Sequence, residues 1–159
     1  MTNSEIKEKF EEILRKSPNF DEWVGWIQCS TKEMSIFKKW LNQLSEEDVC
    51  KYLEKDGSII SVIENQTNKI CETSINQDPC CIKYIKNQNN YLCELAIIKN
   101  AFTIPYIREQ TVDLCLLALE TNPNTSSHIY RFIRIVPNPD YYTTLKNLLE
   151  KKAILEALK

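Results

Sequence analysis

The sequence predicts an all-α fold of short helix pairs repeated in tandem, α-solenoid-like, with helical caps at both ends. Three observations carry that expectation. Gln66, Gln88 and Gln110 lie 22 residues apart, and Cys71, Cys93 and Cys115 keep the same step. Apolar positions move with them: Ile63, Ile85, Ile107 and Ile129 in one series, Leu53, Ile75, Ile97 and Leu119 in another. Finally, 2 Gly and 6 Pro are too few for the turns of a hairpin-rich β protein. Four units fit without a gap: Ser45–Gln66, Thr67–Gln88, Asn89–Gln110 and Thr111–Phe132. The 159 residues suit one core, so the chain is read as a single domain. It comprises an N-terminal cap over 1–44, the repeats over 45–132 and a C-terminal capping helix within 133–159.

In chain order, Ser4 to Lys16 reads as an amphipathic helix with Ile6, Phe10, Ile13 and Leu14 on one face, ended by Ser17-Pro18-Asn19. A short helix over Asp21–Cys29 brings Trp23 and Trp26. Ser30 and Glu33 form a capping box that opens a helix carrying Met34, Ile36, Phe37, Trp40, Leu41 and Leu44. All 3 Trp fall in this block, where they are expected to bury against the first unit and cover an otherwise open end.

Within each unit the first helix shows an i, i+1, i+4, i+5 apolar stripe: Ile70, Cys71, Ser74, Ile75; Leu92, Cys93, Ala96, Ile97; Leu114, Cys115, Ala118, Leu119. Small Ser74, Ala96 and Ala118 let neighbouring helices approach. Asp78-Pro79, Asn100-Ala101 and Asn122-Pro123, with Asp56-Gly57 in the first unit, signal a new helix start. A second helix of about eight to ten residues, antiparallel to the first, is therefore expected in each unit, with Ile60, Ile82 and Ile104 inward. One such unit is too small to bury its own apolar face, so the units must stack. Asn138-Pro139 starts the last helix, which carries Leu145, Leu148, Leu149, Ile154 and Leu155.

The pattern Gln-Thr-x-x-x-Cys-x-x-Ala-Ile-x-x-Asn-Pro, followed across Gln66–Pro79, Gln88–Ala101 and Gln110–Pro123, resembles short helical repeats in uncharacterised proteins of giant DNA viruses and some bacteria. The resemblance spans Ser45 to Phe132 and departs from the pattern at Val49, Asn89 and Ala101. It implies the fold and a viral source, and it implies no activity.

Twenty Lys and Arg against 22 Asp and Glu give a formal charge of −2, which argues against a charge-driven grip on nucleic acid or anionic lipid. The charged start, Glu5 to Glu12, offers no secretory core, and no apolar run reaches membrane-spanning length. A cytoplasmic protein is expected, in the host cytoplasm if viral, with no membrane partner. Seven cysteines without paired spacing are not a disulfide framework.

The only histidine, His128, falls in register with Tyr84 and Tyr106, and no phosphate loop, metalloprotease helix or Cys-x-x-Cys occurs. No enzyme activity, cofactor or metal is expected. Cys80-Cys81 at a helix start is weighed as a reactive thiol pair and read as packing. The recurrent glutamines are weighed as a base-reading code and read as turn residues that satisfy backbone groups.

The candidate binding face lies on the second helices. Tyr84, Tyr106 and His128 form one ladder; Lys86, Arg108 and Tyr130 form another, with Arg131 beside it. Stacked units set equivalent side chains side by side, and Tyr and Arg carry much of the energy at interfaces. The function expected is a non-catalytic protein–protein interaction module with an unidentified protein partner. The alternative is an RNA or nucleic-acid binder using Lys83, Lys86, Arg108, Tyr106, Tyr130, Arg131 and Arg134, where basic and aromatic residues interleave. A third reading is an enzyme subunit completed by a partner's residues.

Overall fold

The computed structural model describes residues 1–16 and 30–125, together with Asn147 and Glu150. The described residues are helical, and no strand occurs among them. The N-terminal block contributes α1 (Asn3–Lys16) and α2 (Thr31–Leu41). Four α-helices follow, with starts 22 residues apart: α3 (Glu46–Leu53), α4 (Asn68–Gln77), α5 (Asn90–Lys99) and α6 (Val112–Thr121). Each is followed by a 3-10 segment: η1 (Gly57–Val62), η2 (Pro79–Tyr84), η3 (Ala101–Tyr106) and η4 (Pro123–Thr125).

Every start is capped by the residue the register puts there. Ser45, Thr67, Asn89 and Thr111 accept from the backbone N–H three residues on, at 3.0–3.3 Å. These bonds satisfy amides that the first helical turn leaves open. The next residue in each pattern serves two elements. Asp78 donates its N–H to Ser74 O, closing α4, while its Oδ1 accepts from Cys80 N at 2.9 Å, opening η2. Asn100 and Asn122 do the same at the ends of α5 and α6.

The second element of the unit corrects the expectation of an eight-to-ten-residue helix. It is a six-residue 3-10 turn in the first three units, ended by Ile63, Ile85 and Ile107 in extended backbone. The reason lies in the spacing of its isoleucines. Ile60 and Ile63, Ile82 and Ile85, and Ile104 and Ile107 are three apart, and three residues per turn puts such a pair in line on one face. All six are at most 3% exposed. Burying one such side chain stabilises by about 1.5–3 kcal/mol.

Helices α3 to α6 pack in succession on one side, and η1 to η3 pack in succession on the other. Each α-helix from α4 onward touches the 3-10 segment before it and the one after it. The core runs between the two layers through Ile70, Cys71, Ile75, Ile82, Leu92, Ile97 and Ile104. Close approach is required at Gly57, where a Cβ would lie 2.7 Å from Ser74 O. There the buried Ser74 hydroxyl donates to Gly57 O at 2.9 Å.

At the N-terminal end, Phe10 sits with Phe37, Trp40 and Tyr52 at ring distances of 5.4–5.6 Å. Trp40 also meets Tyr52 of α3 edge-on. The predicted Ser30–Glu33 capping box is present, and Glu33 also pairs with Lys9 of α1. The expected helix over Asp21–Cys29, with Trp23 and Trp26, lies outside the described residues. So do the end of the fourth unit from Ser126 to Phe132 and the expected final helix, except for Asn147 and Glu150.

Candidate interaction surfaces

The recurrent glutamines build a polar edge. Gln66 donates through Nε2 to Ile60 O in its own unit at 3.0 Å and to Tyr84 O in the next at 3.2 Å, while its Oε1 accepts from Lys86 N at 2.8 Å. Gln88 repeats this on Ile82 O, Tyr106 O and Arg108 N, at 2.8, 3.1 and 2.9 Å. Gln110 donates to Ile104 O at 2.9 Å. One amide thus holds the backbones of two successive units, which fixes the turn role for these residues. Leu44 stands one register step before Gln66, and Asn42 takes over its task. Its Nδ2 donates to Val62 O at 2.9 Å and its Oδ1 accepts from Glu64 N at 2.7 Å. That clasp was not read from the sequence, because Asn42 is two residues out of register.

The predicted ladder lies along this same edge. Tyr84 is half-buried and Tyr106 exposed, and the Lys83 ammonium sits 4.6 Å from the first ring centre and 5.8 Å from the second. A cation between two rings ties neighbouring units and presents an aromatic–basic surface. Lys86 and Arg108 are both engaged with the unit before them. Lys86 Nζ donates to Glu64 O at 2.8 Å. Arg108 donates through Nη1 to Lys86 O and through Nη2 to Ile85 O, at 2.8 and 2.9 Å. Two of the named partner-binding residues therefore also serve the junction between units. Of the seven, His128, Tyr130 and Arg131 lie outside the described residues, as does Arg134.

The six described cysteines are free thiols. Cys71 and Cys93 donate weakly to Gln66 O and Gln88 O at 3.9 and 3.7 Å, so they support the clasp residue as well as filling the core. Burial pushes the Cys71 thiol up to about 11, and Glu72 adds to it. Cys81 is pushed up to about 12, again chiefly by burial, with Asp78 and Asp56 also opposing the thiolate. Cys81 is thus a protonated core residue at neutral pH, which removes half of the weighed reactive pair.

A second surface was missed by the sequence reading. On the outer side of α5 and α6, Ile98 is 60% exposed and Tyr91 54%. A groove between the two helices is lined by Glu94, Ile98, Asp113, Leu114, Leu116, Leu117 and Glu120. The signal was present in the register. Thr73 precedes Leu95 and Leu117 in one series, and Asn76 precedes Ile98 in another. Both positions turn apolar in α5, and the second returns to a charged residue, Glu120, in α6.

No family model, curated protein or solved structure matches the chain. Among the described residues no helix is long and apolar enough to cross a membrane. No group of three or more metal-ligating side chains occurs among them either.

Proposed function

We propose that the chain is a non-catalytic protein-interaction module, built as an α-solenoid-like tandem array of 22-residue units with a cap at each end. It is of the kind its motif resembles in giant viruses and bacteria, and it acts in the cytoplasm. The observation that carries this reading is the amide clasp, made by Gln66 and again by Gln88 on equivalent backbone atoms of the following unit. Identical junctions keep successive units in a constant relation, and a constant relation lines up equivalent side chains into an extended face. Tyr84 and Tyr106, with Lys83 between them, form the described part of that face.

The Lys83–tyrosine arrangement also favours a second reading, a single-stranded RNA binder that stacks bases on the rings. Against it, Lys86 and Arg108 direct their charged heads to backbone carbonyls of this chain, which competes with phosphate. Affinity capture from native cell extract, with and without nuclease, separates the two. Tyr106→Ala is the variant of choice because its ring is exposed and its backbone contacts survive. A nuclease-resistant protein lost on Tyr106→Ala supports the interaction module. Nuclease-sensitive recovery of RNA supports the second reading, and identical capture by both proteins removes the ladder as the binding face.

A further inference from the structure

The groove between α5 and α6 has features that the stack does not need. In α4 the same outer positions are Thr73 and Asn76, and α4 packs on both its neighbours with them. Half-buried Leu95 and Leu117 pack against the core, but exposed Ile98 exceeds what the junctions require. Ile98 projects at 60% exposure beside half-buried Leu116 and Leu117. The charged residues lining the groove are all acidic: Glu94 on α5, Asp113 and Glu120 on α6.

We propose that this groove docks an amphipathic α-helix whose apolar stripe is flanked by lysine or arginine. The surface lies apart from the Tyr84–Tyr106 ladder, and the inference goes beyond the reading given above. Two arguments select the occupant. The groove walls are α-helices, whose backbone groups bond within the helix and offer no edge to an extended strand. An occupant must then satisfy its own backbone, as a helix does. Its apolar side chains at i, i+3, i+4 and i+7 meet Ile98, Leu116 and Leu117, and basic flanks meet the three carboxylates. Each α5 and α6 wall of ten residues is about 15 Å long, enough for three turns of such a helix.

The test uses the full chain and two synthetic 14-residue peptides. One carries a leucine stripe flanked by lysines; the other has glutamates in place of the lysines. Saturable binding of the lysine peptide, at least tenfold tighter than the glutamate peptide, is expected. Amide shifts should centre on Glu94, Ile98, Leu116 and Leu117 and spare Tyr106. Glu120→Lys should reduce the preference between the peptides, and Ile98→Asp should weaken binding tenfold or more with Tm unchanged. Absence of saturable binding, equal affinity for both peptides, or shifts centred elsewhere would overturn the proposal. A clear fall in Tm with Ile98→Asp would overturn it too, by showing that the chain itself covers this face. Tyr106→Ala should leave peptide binding intact, so failure of the ladder and failure of the groove are told apart.

Discussion

The polar turn edge and the outer helix face run along the same units, and they treat the 22-residue register in opposite ways. On the turn edge the register conserves chemistry within the chain: Gln66 and Gln88 bond equivalent atoms, and Asn42 supplies the same bonds where Leu44 interrupts the series. On the outer face the register changes chemistry, from Asn76 to Ile98 to Glu120 and from Glu94 to Leu116. Positions whose backbone partners recur must supply a side chain that makes the same bond in every unit. Positions that touch no recurring backbone group are free to differ, and differences there are where a binding preference can be built. The ladder of Lys86 and Arg108 belongs more to the first class than its exposure suggests.

The comparison predicts its largest effect at the clasp. Gln66→Leu copies Leu44 into the next unit and removes three backbone hydrogen bonds, two part-buried and one exposed, a loss of about 2–3 kcal/mol at roughly 1 kcal/mol each. Denaturant unfolding measures it. Adding Glu64→Asn places an amide where Asn42 stands in the unit before, and recovery of about half the loss is expected. No recovery would break the equivalence between the Asn42 and Gln clasps.

A somewhat smaller effect is expected from Gly57→Ala, whose Cβ meets Ser74 O and Gln77 Oε1 at 2.7 and 2.8 Å. Overpacking of this kind costs about 1–3 kcal/mol. The outer face should respond least to substitution. Giving α5 the α4 identity at its exposed outer position, Ile98→Asn, should shift stability by no more than about 1 kcal/mol while abolishing lysine-peptide binding. Loss comparable to Gln66→Leu would mean that the apolar outer residues are structural after all.

The last prediction contrasts charge with amide. Lys9, followed by the Ser30 amide and hydroxyl, holds the Glu33 carboxyl down to about 2 from its ordinary 4.5. A depressed folded value means that this contribution is complete above pH 4.5 and disappears as pH falls toward 2. Thermal unfolding of the native chain should therefore weaken more steeply over that window than that of Glu33→Gln. The glutamine clasps carry no titrating group and should add nothing to the slope.

Much of the architecture was legible because backbone capping is local. Thr67, Asp78 and their register equivalents act on amides two or three residues away, and the sequence states those distances directly. The 3-10 character of the second element was misread because Asx-Pro signals a helix start without saying how tightly the turn winds. The three-residue spacing of Ile82 and Ile85 held that information. Residue types alone could not separate the functions of Lys86 and Arg108. Their partners are carbonyls 22 and 23 residues earlier, reached only once two units are stacked. Asn42 was hidden for the same reason, and the α5–α6 groove because an apolar residue beside a core stripe reads as more core.

Amide hydrogen exchange at Lys86 and Arg108 tests the central claim most directly. Both side chains are exposed, yet each N–H is bonded to the glutamine of the unit before it. Exchange at both amides should be slow in the native protein, and Gln66→Leu should accelerate Lys86 about tenfold or more relative to Arg108. Gln88→Leu should do the reverse. Unprotected exchange at both amides in the native protein, or equal acceleration of the two by either variant, would contradict a stack held together unit by unit through its glutamines.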